Sequence, residues 1–355
     1  MFVAGGAVAQ DKMKSMKPSI SVNGSFDALV GGILNEEQED GGTDVAKDTS
    51  ALDVRSDAEI HFNGRATTEN GMKIHARVEL EGQQGSGERI DEYFLSVSGS
   101  FGKIILGGTG GAAIKMLTGL SGSWATGVGE TLAYDSAAWT PAAAGNPLHT
   151  VRNVRLQDHD ANKATYISPK FGGFQVGLTY SPNEANDDDS GRIDAEAEVH
   201  NGLEGAVSYT GKFDGVGFGV GAGMSAYQGA TEDDMKGDQS DWVVAARIDF
   251  GGGFRVSAAH KRTTDDDDAA QGQITDVGAR FVTGANSFSL VGSMGEMDES
   301  GAQYTTVMGS YARGMGPGVK VHTNLIWNQS DNGMSGAAKK GNTGTALVTG
   351  LKVSF

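Results

Sequence analysis

The chain contains no cysteine, which excludes a disulfide framework, a zinc–thiolate centre and a cysteine nucleophile, although it names no compartment. Proline is scarce, 6 residues against 55 glycines in 355. Collagen needs both residues in quantity, and disordered low-complexity chains usually bring proline with glycine, so both classes are set aside. Hydrophobic residues make up 38%, and no window approaches the ~18 uninterrupted apolar residues of a membrane-crossing helix. Positive charge is also short: 28 Lys and Arg stand against 45 Asp and Glu, a formal net charge of −17. A surface this acidic repels polyanions, so nucleic acid is not an expected partner.

What is present is alternation. From Ser19, the residues Ile20, Val22, Phe26, Ala28 and Val30 fall on one side of an extended chain, and Ser19, Ser21, Asn23, Ser25 and Asp27 on the other. Leu52, Val54, Ala58, Ile60 and Phe62 oppose Asp53, Arg55, Asp57, Glu59 and His61, and Met72 to Leu80 alternates with Lys73 to Glu81 in the same way. The period of two recurs at Trp242 to Phe250, at Val319 to Trp327 and at the closing Leu347 to Phe355. Such segments are strands with one apolar and one polar face. Counted along the chain they number about sixteen, with about 22 residues per strand and connection, as a large antiparallel transmembrane β-barrel requires.

The connections alternate between tight and long. Tight ones are expected near Thr67 to Gly71, Gly99 to Gly102, Pro169 to Gly173, Gly211 to Gly215, Gly251 to Gly253, Thr283 to Asn286 and Gly314 to Gly318. Long ones are expected near Asn35 to Thr49, Gly82 to Glu88, Thr109 to Lys163, Asn183 to His200, Gln228 to Asp238, Thr263 to Gln271, Gly295 to Gly301 and Gln329 to Asn342. An up-and-down meander with every short turn at one rim produces this rhythm, and a Greek-key sandwich does not sustain it. Phe62, Phe101, Phe171, Phe174, Phe213, Phe250, Phe254, Phe281 and Phe355 cluster at the tight-turn ends, as an interfacial aromatic girdle would. The competing reading is a set of strand-end aromatics capping a soluble core. Helical periodicity is weak throughout, so residues 10–355 read as a single domain.

The stretch Ile90-Asp91-Glu92-Tyr93-Phe94-Leu95-Ser96-Val97-Ser98-Gly99-Ser100-Phe101-Gly102-Lys103-Ile104-Ile105-Leu106-Gly107 resembles the fourth and fifth strands of Gram-negative general porins of the alphaproteobacterial type. The early strand Ser19 to Phe26, the block Ala76-Arg77-Val78-Glu79-Leu80 and the terminal Phe355 resemble that family too. The resemblance implies a sixteen-stranded antiparallel barrel in the outer membrane that assembles as a homotrimer. It also implies a long third loop, here residues 109–163, folded into the lumen to form a constriction. The Pro-Glu-Phe-Gly-Gly-like signature of enterobacterial porins is missing from this loop. The function implied is passive diffusion of small hydrophilic solutes and ions, with no chemical step. Lipid and lipopolysaccharide would be its surroundings. The opening MFVAGGAVAQ has an apolar stretch ending in Ala7-Val8-Ala9, the small-residue pattern of a signal-peptidase site, without a basic segment before it. Residues 1–9 are therefore expected to be the remnant of an export signal; an unstructured apolar terminus is the alternative.

A barrel of this size leaves a water-filled channel, in which inward charges are tolerated without partners. Parity places Arg55, His61, Lys73, His75, Arg77 and Lys103 inward on neighbouring strands, as a basic wall. Within the 109–163 loop, Glu130, Asp135, Asp158 and Asp160 are the candidates for an opposing acidic wall. Opposed walls set up a transverse field that orients dipolar solutes and penalises apolar ones. Glu59, Glu79, Glu81 and Glu92 also face inward and would neutralise part of the basic wall through cross-strand pairs, which leaves the sign of ion selectivity open.

The long connections carry carboxylate runs: Glu36, Glu37, Glu39 and Asp40; Asp187, Asp188 and Asp189; and Asp265 to Asp268. These suit hard cations, and structural calcium at Asp187, Asp188 and Asp189 is the metal candidate, against the alternative of a solvated charged face. An EF-hand reading of Asn186 onward fails because its twelfth position is Ala197. Gly108-Thr109-Gly110-Gly111-Ala112-Ala113 fits a permissive dinucleotide fingerprint, but no βαβ rhythm surrounds it, and it reads better as the chain leaving a strand for the loop. There is no HExxH and no GxSxG. No other cofactor is expected, and no enzyme activity. Two further readings stay open: a substrate-selective channel with a saturable site, and a barrel-type surface hydrolase or adhesin.

Overall fold

The computed structural model describes residues 16–41, 43–45, 52–82, 90–128, 139, 156, 161–183, 199–229, 238–265 and 271–355. The residues 1–9 read as an export remnant lie outside them. The strands, in order, are β1 (Met16–Asp40), β2 (Thr43–Val45), β3 (Asp53–Thr67), β4 (Lys73–Glu81), β5 (Ile90–Gly99), β6 (Gly102–Gly108), β7 (Asn162–Ile167), β8 (Phe174–Asn183), β9 (His200–Phe213), β10 (Val216–Gln228), β11 (Gln239–Gly251), β12 (Phe254–Asp265), β13 (Gly272–Thr283), β14 (Asn286–Met297), β15 (Gln303–Gly316), β16 (Val319–Asp331) and β17 (Lys340–Ser354). Two short helices, α1 (Ala112–Leu117) and α2 (Gly122–Thr126), follow β6. No described helix is long and apolar enough to cross a membrane.

All strands join one antiparallel sheet in which each pairs with its chain neighbours. β1 closes the sheet against β17, Ser25 opposite Ser354 through to Asp40 opposite Lys340, while its earlier part pairs with β3. Gly24 and Phe355 exchange both backbone hydrogen bonds, at 2.9 and 3.0 Å. With β2 set aside as a three-residue return within the first long connection, sixteen strands form a closed barrel. Closure satisfies every wall strand on both sides and removes the open edge that hydrocarbon would not tolerate.

The seven tight connections fall where the alternation puts them, and their glycines have a structural reason. Gly253 (φ +86°) and Gly318 (φ +71°) precede strands, and a Cβ on either would stand 2.0 and 2.2 Å from the carbonyl oxygens of Val282 and Ser354 on the neighbouring strand. Each accepts a bond back from that same residue's N–H, at 3.0 and 2.7 Å. Only glycine gives both the left-handed turn and the close approach. Several long connections are shorter than the sequence suggests, because strands run past the expected boundary. β1 continues to Asp40, where the sequence reading placed a loop from Asn35, and pairs there with β17 and β2. A run of acids does not end a strand that has ladder partners on both sides.

Burial is inverted relative to a soluble barrel. Leu178, Leu203, Val220, Met224, Leu290 and Leu347 are exposed on the outer face, while Ser96, Thr165, Ser225, Asp276, Asn324 and Asn328 are buried on the inner one. All nine phenylalanines of the expected girdle are exposed, from Phe101 at 40% to Phe213 at 79%. A lipid-facing wall requires this, and a soluble core would require the opposite.

Two clusters of apolar burial on the inner side lie where the described parts of the connection after β6 rest on the wall. Ala112, Ala113, Leu117, Leu120 and the later Leu156 cluster with inward Ala206, Val243, Ala245 and Ala259. Trp139 clusters with Leu29, Val291, Met308, Ile326, Ala346 and Val348. Glycines in the wall make the room: a Cβ at Gly221 would lie 2.3 Å from Leu117, one at Gly219 2.5 Å from Leu120, and one at Gly31 2.8 Å from Trp139.

Candidate pore-lining site

The inward face of β3 to β6 is set by strand register. His61 stands opposite Glu79, Asn63 opposite Arg77 and Arg65 opposite His75. Arg77 in turn stands opposite Phe94 on β5, and Ser98 opposite both Lys73 on β4 and Lys103 on β6. Since alternate residues share a face, these side chains form one patch.

Within it, His61, His75, Arg77 and Lys103 come together. Arg77 donates to Glu79 at 2.7 Å, and its Nη2 lies 2.9 Å from His61 Nδ1. His61 Nε2 lies 3.0 Å from Glu59 and 2.5 Å from Glu79. His75 Nε2 lies 2.8 Å from the Asn63 side-chain oxygen, and its ring meets Phe94 edge-on at 5.4 Å. Lys103 stands over the Phe94 ring at 5.9 Å. The wall is therefore mixed rather than basic: Glu59 and Glu79 are built into it.

Of the other two candidates, Lys73 shares the register row of Lys103 through Ser98 and Arg55 lies apart. Lys73 is exposed at the turn end of β4. Arg55, six residues up β3 from His61 and so about 20 Å along the strand, is paired with Asp53 at 2.8 Å and stacks on Trp139 at 4.7 Å. Glu130, Asp135, Asp158 and Asp160, expected on the facing wall, and Asp187, Asp188 and Asp189, the calcium candidates, all lie outside the described residues.

Sequence reasoning missed Lys115 and Phe94. Lys115, on α1, brings its Nζ 5.7 Å from the centroid of the Phe94 ring and donates to Thr109 Oγ1 at 2.9 Å. Phe94 thus carries two ammonium groups, an arrangement worth roughly 0.5–1 kcal/mol each at partly exposed sites. Its inward parity on β5 was readable, but an aromatic in an aqueous lumen is not a pattern that alternation singles out. Burial pushes the Lys115 ammonium below the ordinary lysine range; Glu92 opposes this, and Lys103 and Arg77 add to it.

The start of α1 is fixed by Glu204 on β9, which is buried and accepts from the Ala113 N–H at 2.6 Å. Further along, cations on β11, β12 and β16 donate to main-chain carbonyls: Arg247 to Gly119 at 2.5 Å, Arg255 to Ala125 at 3.1 Å and Lys320 to Val128 at 3.3 Å. Ser257 donates to Gly122 at 2.8 Å. The Gly108 to Ala113 run is a strand end and a helix start, hydrogen-bonded to Thr179 and Glu204 of the wall.

Comparisons with known proteins agree with this architecture. Solved structures of the same shape include an anion-selective porin from Comamonas acidovorans, 18% identical over 96% of this chain and 100% of that one, TM-score 0.63. The trimer form of OmpT, an outer membrane protein of Vibrio cholerae, is 12% identical over 95% and 99%, TM-score 0.60. A mutant of the Rhodobacter blastica porin is 14% identical over 95% and 100%, TM-score 0.58. A search of curated protein sequences gives no match. The family model for Gram-negative porins matches residues 1–333. The chain belongs to the Gram-negative porin family, whose members are outer-membrane β-barrels that act as channels for passive diffusion.

Proposed function

We propose that this channel passes small hydrophilic solutes and ions and screens them where the β3–β6 patch faces the connection formed by residues 109–163. The observation that carries this is Lys115: a side chain of that connection meets the barrel wall at the level of Phe94 and Arg77. A polar, charged passage of this kind favours solutes that exchange hydration for its field and disfavours apolar ones. No chemical step is involved.

The working unit is a homotrimer in outer-membrane lipid and lipopolysaccharide, reached by export through the periplasm. The trimer form of the similar Vibrio protein supports the assembly, and the apolar outer face supports the surroundings. Calcium at Asp187 to Asp189 would tie the loops to one another or to lipopolysaccharide phosphates. The test is single-channel conductance of purified, unboiled protein in a planar bilayer under a salt gradient. Stepwise conductance in groups of three is the expected result; a folded barrel that never conducts overturns the reading.

A further inference from the structure

The geometry points to a divalent-cation site in the channel wall, built by Glu59, His61 and Glu79. Glu59 and His61 are two apart on β3 and so share the inward face, and the register sets Glu79 of β4 directly opposite His61. One ligand atom from each lies within 4.8 Å of the other two. A zinc-like ion with bonds of about 2.0–2.2 Å holds its ligand atoms roughly 3–4 Å apart, and two of the separations here are 3.0 and 2.5 Å. Small side-chain adjustments are enough to seat the ion.

Hydrogen bonding leaves this point under-served. His61 Nε2 carries at most one hydrogen, yet a carboxylate oxygen of Glu59 and one of Glu79 both converge on it. Two carboxylates held so near one another repel unless a proton or another positive charge lies between them. Arg77 supplies part of that charge from Glu79 Oε2 and from beside the imidazole, its Nη2 2.9 Å from Nδ1 and 3.2 Å from Nε2, while Glu79 Oε1 faces Nε2. With both carboxyls ionised, as ligation requires, two carboxylates and one guanidinium sum to −1, which a dication turns to +1. Arg77 is then the residue that orients Glu79, as a hydrogen-bonded partner of a metal ligand does.

The donor set selects the ion's class. One imidazole nitrogen and two carboxylates suit zinc and its first-row neighbours, whereas calcium and magnesium prefer oxygen alone. The Glu59 side chain is 30% exposed and the Glu79 side chain 7%. The site therefore opens to the lumen on one side, and a water completes the coordination.

The test uses the refolded full-length protein in detergent, titrated with zinc chloride in metal-free buffer by calorimetry. The expected result is saturable binding of one zinc per chain, weakened by His61→Ala and by Glu79→Gln roughly tenfold or more, the range that loss of even a ligand's partner produces. His260→Ala, on the outer face, leaves it unchanged, and heat-modifiable mobility confirms that each variant has folded. Cobalt titration supplies a second readout, since its visible absorption bands shift and strengthen when protein ligands replace water. Binding that does not saturate, or that survives in both ligand variants, overturns the site. In bilayers, zinc should move the reversal potential towards anions in the native channel and not in His61→Ala. Calorimetry needs no conduction, so failure of the site and failure of the diffusion-channel reading are separate results.

Discussion

Among single residues, Arg77 has the widest reach, since it touches Glu79 and His61 and stands opposite Phe94. Arg77→Glu removes one positive charge and adds a negative one beside two carboxylates. The cation-to-anion permeability ratio should rise several-fold, read from reversal potentials; an unchanged value would remove Arg77 from the conducting path. Lys115 gives a pH dependence. Burial lowers its ammonium below the ordinary lysine range, so the folded protein releases this proton at a lower pH than the unfolded chain does. The burial penalty is present in full on the acid side of that lowered value and fades as pH rises through it. The channel loses one positive charge in the same window. Reversal potentials measured while pH is raised from neutral should drift towards cations, and Lys115→Met should remove this part of the drift. At this scale the sequence was legible by parity and no further: it put His61, His75, Arg77 and Lys103 inward on adjacent strands, but height along the barrel depends on register and stagger. That is why Arg55 belongs to another level, and why Lys115, on a helix that no strand pattern announces, was missed.

The element of most consequence is the connection after β6. Its described parts lie along glycines and alanines of the inner wall, and Glu204 holds its first helix by accepting from Ala113. Glu204→Ala leaves buried donors without an acceptor, which costs about 1–3 kcal/mol. The expected outcome is a lower midpoint for thermal loss of the compact form in detergent. Gly221→Val places a branched side chain where Leu117 already sits, since even a Cβ there would be 2.3 Å from it. The helix must lift from the wall towards the axis, and single-channel conductance should fall while heat-modifiability persists. The start of this segment was readable, because Gly108 to Ala113 leaves an apolar strand with no partner strand to follow. Its route was not. The glycines that receive it are spread over β1, β8, β10 and β13, and a glycine in a strand looks the same whether it faces a loop, a turn or nothing.

For the whole molecule, the inversion of burial decides where substitutions are costly. Leu178, in the middle of β8, is 63% exposed on the outer face. An arginine there, near the bilayer midplane, should cost about 2–4 kcal/mol, measurable as lost equilibrium folding into lipid vesicles under guanidinium. Overall architecture was the most legible level, since a period of two survives any register and sixteen repeats of it admit few closed forms.

The seam between β1 and β17 joins residues 300 or more positions apart, with Asn342 donating to Glu36 across it at 2.8 Å. Every other strand pairing of the wall joins neighbours in the chain, most of them across short connections, whereas this one waits for all of them, because closing so long a loop is entropically unfavourable until the intervening sheet exists. Until then, β1 and β17 each present a row of unmatched donors and acceptors, the template on which copies of a chain add to one another. The moment of greatest danger for this protein is therefore a late one. A slow final ring closure, more than any defect in the finished wall, is what would turn a nearly complete barrel into the seed of a filament.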